Sequence, residues 1–151
     1  PGPTVFLYEA LHSYRQIFLD GRPLPKAPNP AWMGYSVGRW EDDNTLLVNS
    51  SGFVENNWLD NNGHMGTEAL KLTERLTRTH YGHMRIDVTV DDPGAYTAPW
   101  SASQIVHLRP GWEPLEFICN ENNKDIENLP GNAEAAGLTN IEAARMKGYL
   151  D

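Results

Sequence analysis

The stretch MRIDVTVD, Met84–Asp91, alternates without a fault. Met84, Ile86, Val88 and Val90 fall on one side of an extended chain, and Arg85, Asp87, Thr89 and Asp91 fall on the other. This is the pattern of a strand with one face in a core and one in water. Outward from it, TVFLYEA, SYRQIFLD, GYSVGRW, TLLVNSSGF, SQIVHLRP and PLEFICNE carry the β-branched and aromatic enrichment of strands, and turn residues separate them.

The punctuation predicts consecutive antiparallel hairpins, with links at Glu41 to Asn44, at Tyr81 and Gly82, and at Pro110 and Gly111. Asp92, Pro93 and Gly94 suit a type II turn, with Pro at its first central position and Gly at its second. Two longer irregular segments interrupt the meander. One is RPLPKAPNP, Arg22–Pro30, which its prolines hold extended, and the other covers residues 55–67.

LKLTERLTRT, Leu70–Thr79, fits a strand better than a helix because of its three threonines and the hairpin that follows. In that register Glu74 shares a face with Leu70, Leu72 and Leu76. Burying an unpaired carboxylate is costly, so Glu74 is paired with a base from a neighbouring strand, raised in pKa, or open to an interior cavity. The ion pair, or a register slip near the strand end, is the preferred reading.

A chain of 151 residues is long enough for one self-sufficient core. Residues 1–123 read as an antiparallel β domain, and 124–151 as a polar C-terminal extension of the same domain. Thr139 and Glu142 form a capping box there and Gly148 supplies a stop, which predicts a short helix at about 140–147. The net charge of −8 opposes nucleic-acid binding. No apolar run approaches the roughly 20 residues of a membrane helix. The single cysteine, Cys119, excludes an internal disulfide and reads as a small buried hydrophobe.

Candidate chemistry gathers in WLDNNGHMGTE, Trp58–Glu68. An EF-hand starting at Asp60 fails, because Met65 stands where Gly is required and Lys71 where the bidentate Glu is required. Asp60 and His64, with Glu68 or Glu74, make an incomplete ligand set without a His-x-x-x-His or His-Glu-x-x-His pattern, so no metal and no cofactor is assigned. His12, His80, His83 and His107 lie in or beside separate strands. For acid–base work, His64 is the candidate catalytic residue, with Asp60 or Glu74 to orient it. Nothing marks a nucleophile, and a turn set by Asn61, Asn62 and Gly63 accounts for most of the loop. Among the aromatics, Tyr35, Trp40, Trp58 and Trp100 fall at strand ends and loops, where they contact a ligand at a pocket mouth or cover the core.

RQIFLDGRPLP (Arg15–Pro25), WMGYSVGRWEDDNTLLV (Trp32–Val48), LTERLTR (Leu72–Arg78) and VDDPGAYTAPW (Val90–Trp100) together resemble a widespread family of exported bacterial proteins to which no activity is attached. The resemblance implies a periplasmic or secreted setting and residues ahead of Pro1. Two places depart from the family pattern: the turn at Asp42, Asp43 and Asn44 lacks the usual Gly, and Asn120 stands where many relatives carry a histidine after Cys119.

These readings converge on a mainly β protein, an antiparallel meander forming a calycin- or lipocalin-like barrel or a strongly curved sheet, with a short C-terminal helix. The expected function is binding of a small organic ligand or a protein partner. The alternatives are a lyase or hydrolase using His64 with Asp60 or Glu74, and a structural subunit of a larger extracellular or periplasmic assembly. Self-association stays open.

Overall fold

The computed structural model describes residues 2–9 and 13–115, all within one compact unit, Pro1–Phe117. The expected helix at about 140–147, Cys119 and His12 lie outside the described residues. So does PLEFICNE beyond Leu115; its first two residues are not in a strand.

Among the described residues the regular structure is entirely strand: β1 (Thr4–Tyr8), β2 (Ser13–Phe18), β3 (Tyr35–Asp42), β4 (Thr45–Ser51), β5 (Asn57–Trp58), β6 (Met65–Gly66), β7 (Lys71–His80), β8 (His83–Asp91) and β9 (Trp100–His107). Seven of them form one sheet in the order β1-β2-β3-β4-β7-β8-β9, and β5 and β6 pair separately as a small hairpin inserted between β4 and β7. MRIDVTVD is β8, paired antiparallel on both sides, with Leu76 opposite Ile86 and Ile86 opposite Gln104.

The meander breaks once. β2 and β3 pair in parallel, with Ile17 opposite Ser36 and Phe18 opposite Val37. A parallel neighbour needs a connection long enough to return the chain to the same end of the sheet, on the order of a dozen residues or more. The proline-rich stretch between Phe18 and Tyr35 supplies it, extended rather than helical as its prolines predict, and the expected all-antiparallel meander gives way there to one parallel pair. A second expectation also changes. Gly94 is absent from the residues of positive φ, and the amides of Ala95 and Tyr96 both donate to the Asp92 carbonyl, at 3.1 and 2.9 Å. The turn is therefore not type II, and Gly is needed for room: a Cβ at Gly94 would lie 2.6 Å from the Thr67 hydroxyl.

The sheet is strongly curled. Laid flat, seven strands at about 4.8 Å spacing would hold the outer two roughly 29 Å apart. Yet Thr4 and Phe6 of β1 and Val106 and His107 of β9 bound one cavity, and the amide of Leu115, beyond β9, donates to Glu9 Oε1, beside β1, at 2.8 Å. No pairing of β1 with β9 closes the circle, so the described sheet is a half-barrel.

Two apolar clusters fill its concave side. Ile17, Leu46, Val48 and Leu76 form the first, with Phe6, Met84 and Ile86 against it. Phe53, Leu70 and Val90 form the second, with Leu59, Leu72, Val88, Tyr96 and Trp100. Burying a side chain of this size fully contributes about 1.5–3 kcal/mol. Gly38 on β3 lets the first cluster close, since a Cβ there would lie 2.8 Å from Leu19 and 2.9 Å from Ile17.

Glu74 points into this concave side, as the alternation of β7 requires, and is paired. Arg15 of β2, buried to 7% exposure, reaches across the sheet toward it. Its Nε donates to Ser36 Oγ of β3 at 2.8 Å and its Nη2 to Ser50 Oγ of β4 at 2.6 Å. Its Nη1 donates to Glu74 Oε1 at 3.1 Å, and Nη2 bonds Oε2 as well. The two serine hydroxyls are themselves 3.0 Å apart. The base thus comes not from the adjacent strand but from three places away in the sheet.

Removing one partner of such a pair strands a charge out of water, at a cost of about 3–5 kcal/mol, whereas replacing both by apolar groups is far milder. Chemical denaturation should accordingly show Glu74→Leu losing stability of that order, and Arg15→Met combined with Glu74→Leu regaining most of it. A single variant as stable as the parent would contradict this role for the pair.

Candidate functional site

The β5–β6 hairpin and its flanks, Phe53 to Leu70, close one end of the half-barrel. Leu59 and Phe53 insert into the second cluster. Asp60 organises the hairpin turn: Oδ1 accepts the amides of Asn62 at 2.9 Å and His64 at 3.2 Å, and Oδ2 lies 2.7 Å from His64 Nδ1. The hydrogen bond from His64 is the largest cause that holds the Asp60 carboxyl well below its ordinary 3.8, at about 2. The His64 ring lies 5.2 Å from Trp100 and 6.4 Å from Tyr96, and the Tyr96 hydroxyl donates to the Met65 carbonyl at 2.8 Å. Buried Asp92 anchors the same segment by accepting the amide and hydroxyl of Thr67, at 2.7 and 2.6 Å.

Of the residues singled out in the sequence, Asp60 and His64 therefore meet, and Glu74 does not join them, because Arg15 holds its carboxylate. The four aromatics separate. Trp100 meets the His64 ring at a tilt and keeps a buried indole N–H without a partner among the described residues. Trp58 is exposed over Gly63. Tyr35 stacks on Phe18 at 5.2 Å and its hydroxyl accepts from Arg22 Nη1 at 3.1 Å. Both Tyr35 and Phe18 alternate away from the concave side, since Ser36 and Ile17 face it. Trp40 alone stands at the opposite, open end.

That open end contains a cavity of about 640 Å³. Its body is apolar: Phe6, Trp40, Leu46, Leu76, Met84, Val106 and Leu108, drawn from β1, β3, β4, β7, β8 and the end of β9. Its polar lining is Thr4, Asp43, Asn44, Arg78, His83 and His107. The register explains the histidines. His80 pairs with His83 across the turn at Tyr81 and Gly82, and His83 pairs with His107 on the next strand. Directly opposite side chains in a ladder sit about 4.5–5.5 Å apart at Cβ, so the rings meet, tilted for His80 and His83 and edge-on for His83 and His107, with centroids 4.0 and 4.4 Å apart. Burial, and then the neighbouring His80 and His107, push the His83 pKa down. Its Nδ1 is buried and has no partner among the described residues.

The sequence reading missed this cluster. The signal was available, because a two-residue turn at Tyr81 and Gly82 dictates that His80 faces His83. Among the described residues no group of three or more histidine, cysteine or carboxylate side chains is arranged to hold a metal ion. The three imidazoles contact through their rings. Comparison with protein-family models, with curated proteins and with solved structures finds no match to this chain.

The Asp60–His64 contact predicts a titration effect with a defined sign. A depressed carboxyl pKa stabilises the fold above its ordinary value of 3.8 and loses that contribution as pH falls toward about 2. In His64→Ala, carbon-detected NMR should show Asp60 titrating closer to 3.8, and the stability difference from the parent should shrink between pH 4 and pH 2. An Asp60 still titrating near 2 in the variant would show that backbone amides, not His64, set it.

Proposed function

We propose that this protein binds a small, largely apolar organic molecule in the cavity at the open end of its half-barrel. The observation that carries this reading is the cavity itself: about 640 Å³, bounded by both edges of a curled sheet and lined mainly by apolar side chains with a few polar groups. Organic-ligand sites span about 300–1,000 Å³ and have this composition. An exported setting, periplasmic or secreted, is part of the proposal and rests on the sequence motifs.

A neutral fluorescent probe, N-phenylnaphthylamine, should show a saturable rise in emission with one equivalent bound. Val106→Trp, which fills the cavity from half-buried Val106 on otherwise largely exposed β9, should weaken that binding about tenfold while leaving the melting temperature near the parent's. Equal binding by parent and variant would move the probe elsewhere and defeat the assignment.

A second reading has its own support in the 2.7 Å contact between His64 Nδ1 and Asp60 Oδ2. The carboxylate fixes the ring's Nδ1 as the hydrogen donor, and Nε2 makes no hydrogen bond among the described residues. A neutral imidazole so oriented accepts a proton at Nε2 as a general base. In this reading the protein is a lyase or hydrolase in which Asp60, not Glu74, orients His64. A turnover found by substrate screening should disappear in His64→Ala, and turnover unchanged by that substitution would remove His64 from the chemistry.

A further inference from the structure

The polar side chains of the cavity are not distributed at random. Arg78 follows Leu76 in the inward-facing row of β7, and so stands where the apolar body of the cavity meets its mouth. Among the described residues four arginines are committed to a carboxylate, Arg15 to Glu74, Arg22 to Asp20, Arg75 to Glu41 and Arg85 to Asp87, whereas Arg39, Arg78 and Arg109 are not. Arg78 makes no ion pair among the described residues. Its guanidinium lies 5.4 Å from the ring centre of Tyr81, a contact that leaves its N–H groups open. Asp43, the one carboxylate of the lining, does not pair with it. His83 lines the same cavity, with its Nδ1 buried out of reach of solvent.

A chain with net charge −8 and twenty acidic residues has acids to spare for neutralising an arginine. A guanidinium without an ion-pair partner among the described residues, at the rim of an apolar cavity, is an arrangement that an anion completes. Arginine offers a planar fork that fits a carboxylate or sulfonate in two parallel hydrogen bonds.

Resting on the cavity reading above, we propose that the ligand is an amphiphilic monoanion. Its aliphatic or aromatic body lies against Phe6, Leu46, Leu76 and Met84, and its anionic head is held by Arg78. The apolar body supplies affinity by leaving water, and the head sets orientation, with the tail inward and the charge at the mouth.

Displacement of bound N-phenylnaphthylamine by three probes of equal chain length tests this, each kept below its critical micelle concentration: dodecanoate, dodecanol and dodecyltrimethylammonium. Dodecanoate should displace the dye at a concentration about tenfold lower than dodecanol, the size of one charge-assisted hydrogen bond, and the cation should be the weakest. In Arg78→Gln the dodecanoate advantage should vanish while dodecanol is unaffected. If dodecanol matches dodecanoate in the parent, or the cation binds best, the anionic head is wrong while the cavity stands. If Arg78→Gln keeps the full dodecanoate advantage, the anion is held elsewhere and the assignment to Arg78 falls. If the dye itself does not bind, the cavity reading fails first.

Discussion

The guanidinium of Arg15 ties four strands of the sheet together. From β2 it donates to a hydroxyl on β3, a hydroxyl on β4 and both carboxylate oxygens on β7. A flat sheet would hold β2 and β7 about 14 Å apart, three strand spacings, which is too far for one arginine and one glutamate to span with bidentate geometry. The pair therefore forms only on the concave side of a sheet already curled, and once formed it opposes uncurling. Its charge is not a strong source of net stability, because desolvation offsets much of the attraction. What it imposes is specificity. A register slip of one residue in β2 or β7 would turn Arg15 or Glu74 to the outside and leave the other buried alone.

This polar row also separates the two apolar clusters, and the two ends of the half-barrel have different fates. At one end the chain between β4 and β7 is long enough to fold back, insert Leu59 and Phe53, and cover the second cluster. At the other end β3 joins β4 through Asp43 and Asn44, and β7 joins β8 through Tyr81 and Gly82. Turns of two residues have no side chains to spare for covering a core. Trp40, 59% exposed, is left at the rim of the space that remains.

How far the sequence reveals all this depends on range. The strands of the main sheet follow from alternation, and the strand choice for Leu70–Thr79 holds because its inward face, Leu72, Glu74 and Leu76, matches the faces of β4 and β8. The Asp60–His64 contact is readable because it spans four residues within one turn. The inward position of Glu74 is readable too, but its partner is not obvious at 59 residues' separation. A clue existed, since Arg15 alternates with exposed Tyr14 and Gln16 and shares the buried side of Ile17. An inward arginine and an inward glutamate in one small sheet require each other. The parallel pairing of β2 with β3 is a different matter: the prolines of Arg22–Pro30 indicate an extended path and say nothing about its direction of return. The cavity is likewise a property of curl, which belongs to the whole sheet and to no segment of it.

The same contrast explains why the aromatic residues chosen from the sequence did not assemble into one site. Strand ends alternate between the two ends of an antiparallel sheet, so residues at successive ends are placed apart by construction. Trp40 closes β3 at one end, whereas Trp58 and Trp100 stand at the other, next to the β5–β6 cap. At the capped end aromatic rings serve as cover, since Trp100 and Tyr96 pack on Val90, Phe53 and Leu70 and on the ring of His64. At the open end equivalent cover is lacking among the described residues, and the same inward rows that build the core continue past it as Leu46, Leu76 and Met84, then Arg78. Core-forming alternation carried a residue or two beyond the last covering element yields an apolar space with polar groups at its mouth. In this fold the cavity is thus a consequence of where the loops are short.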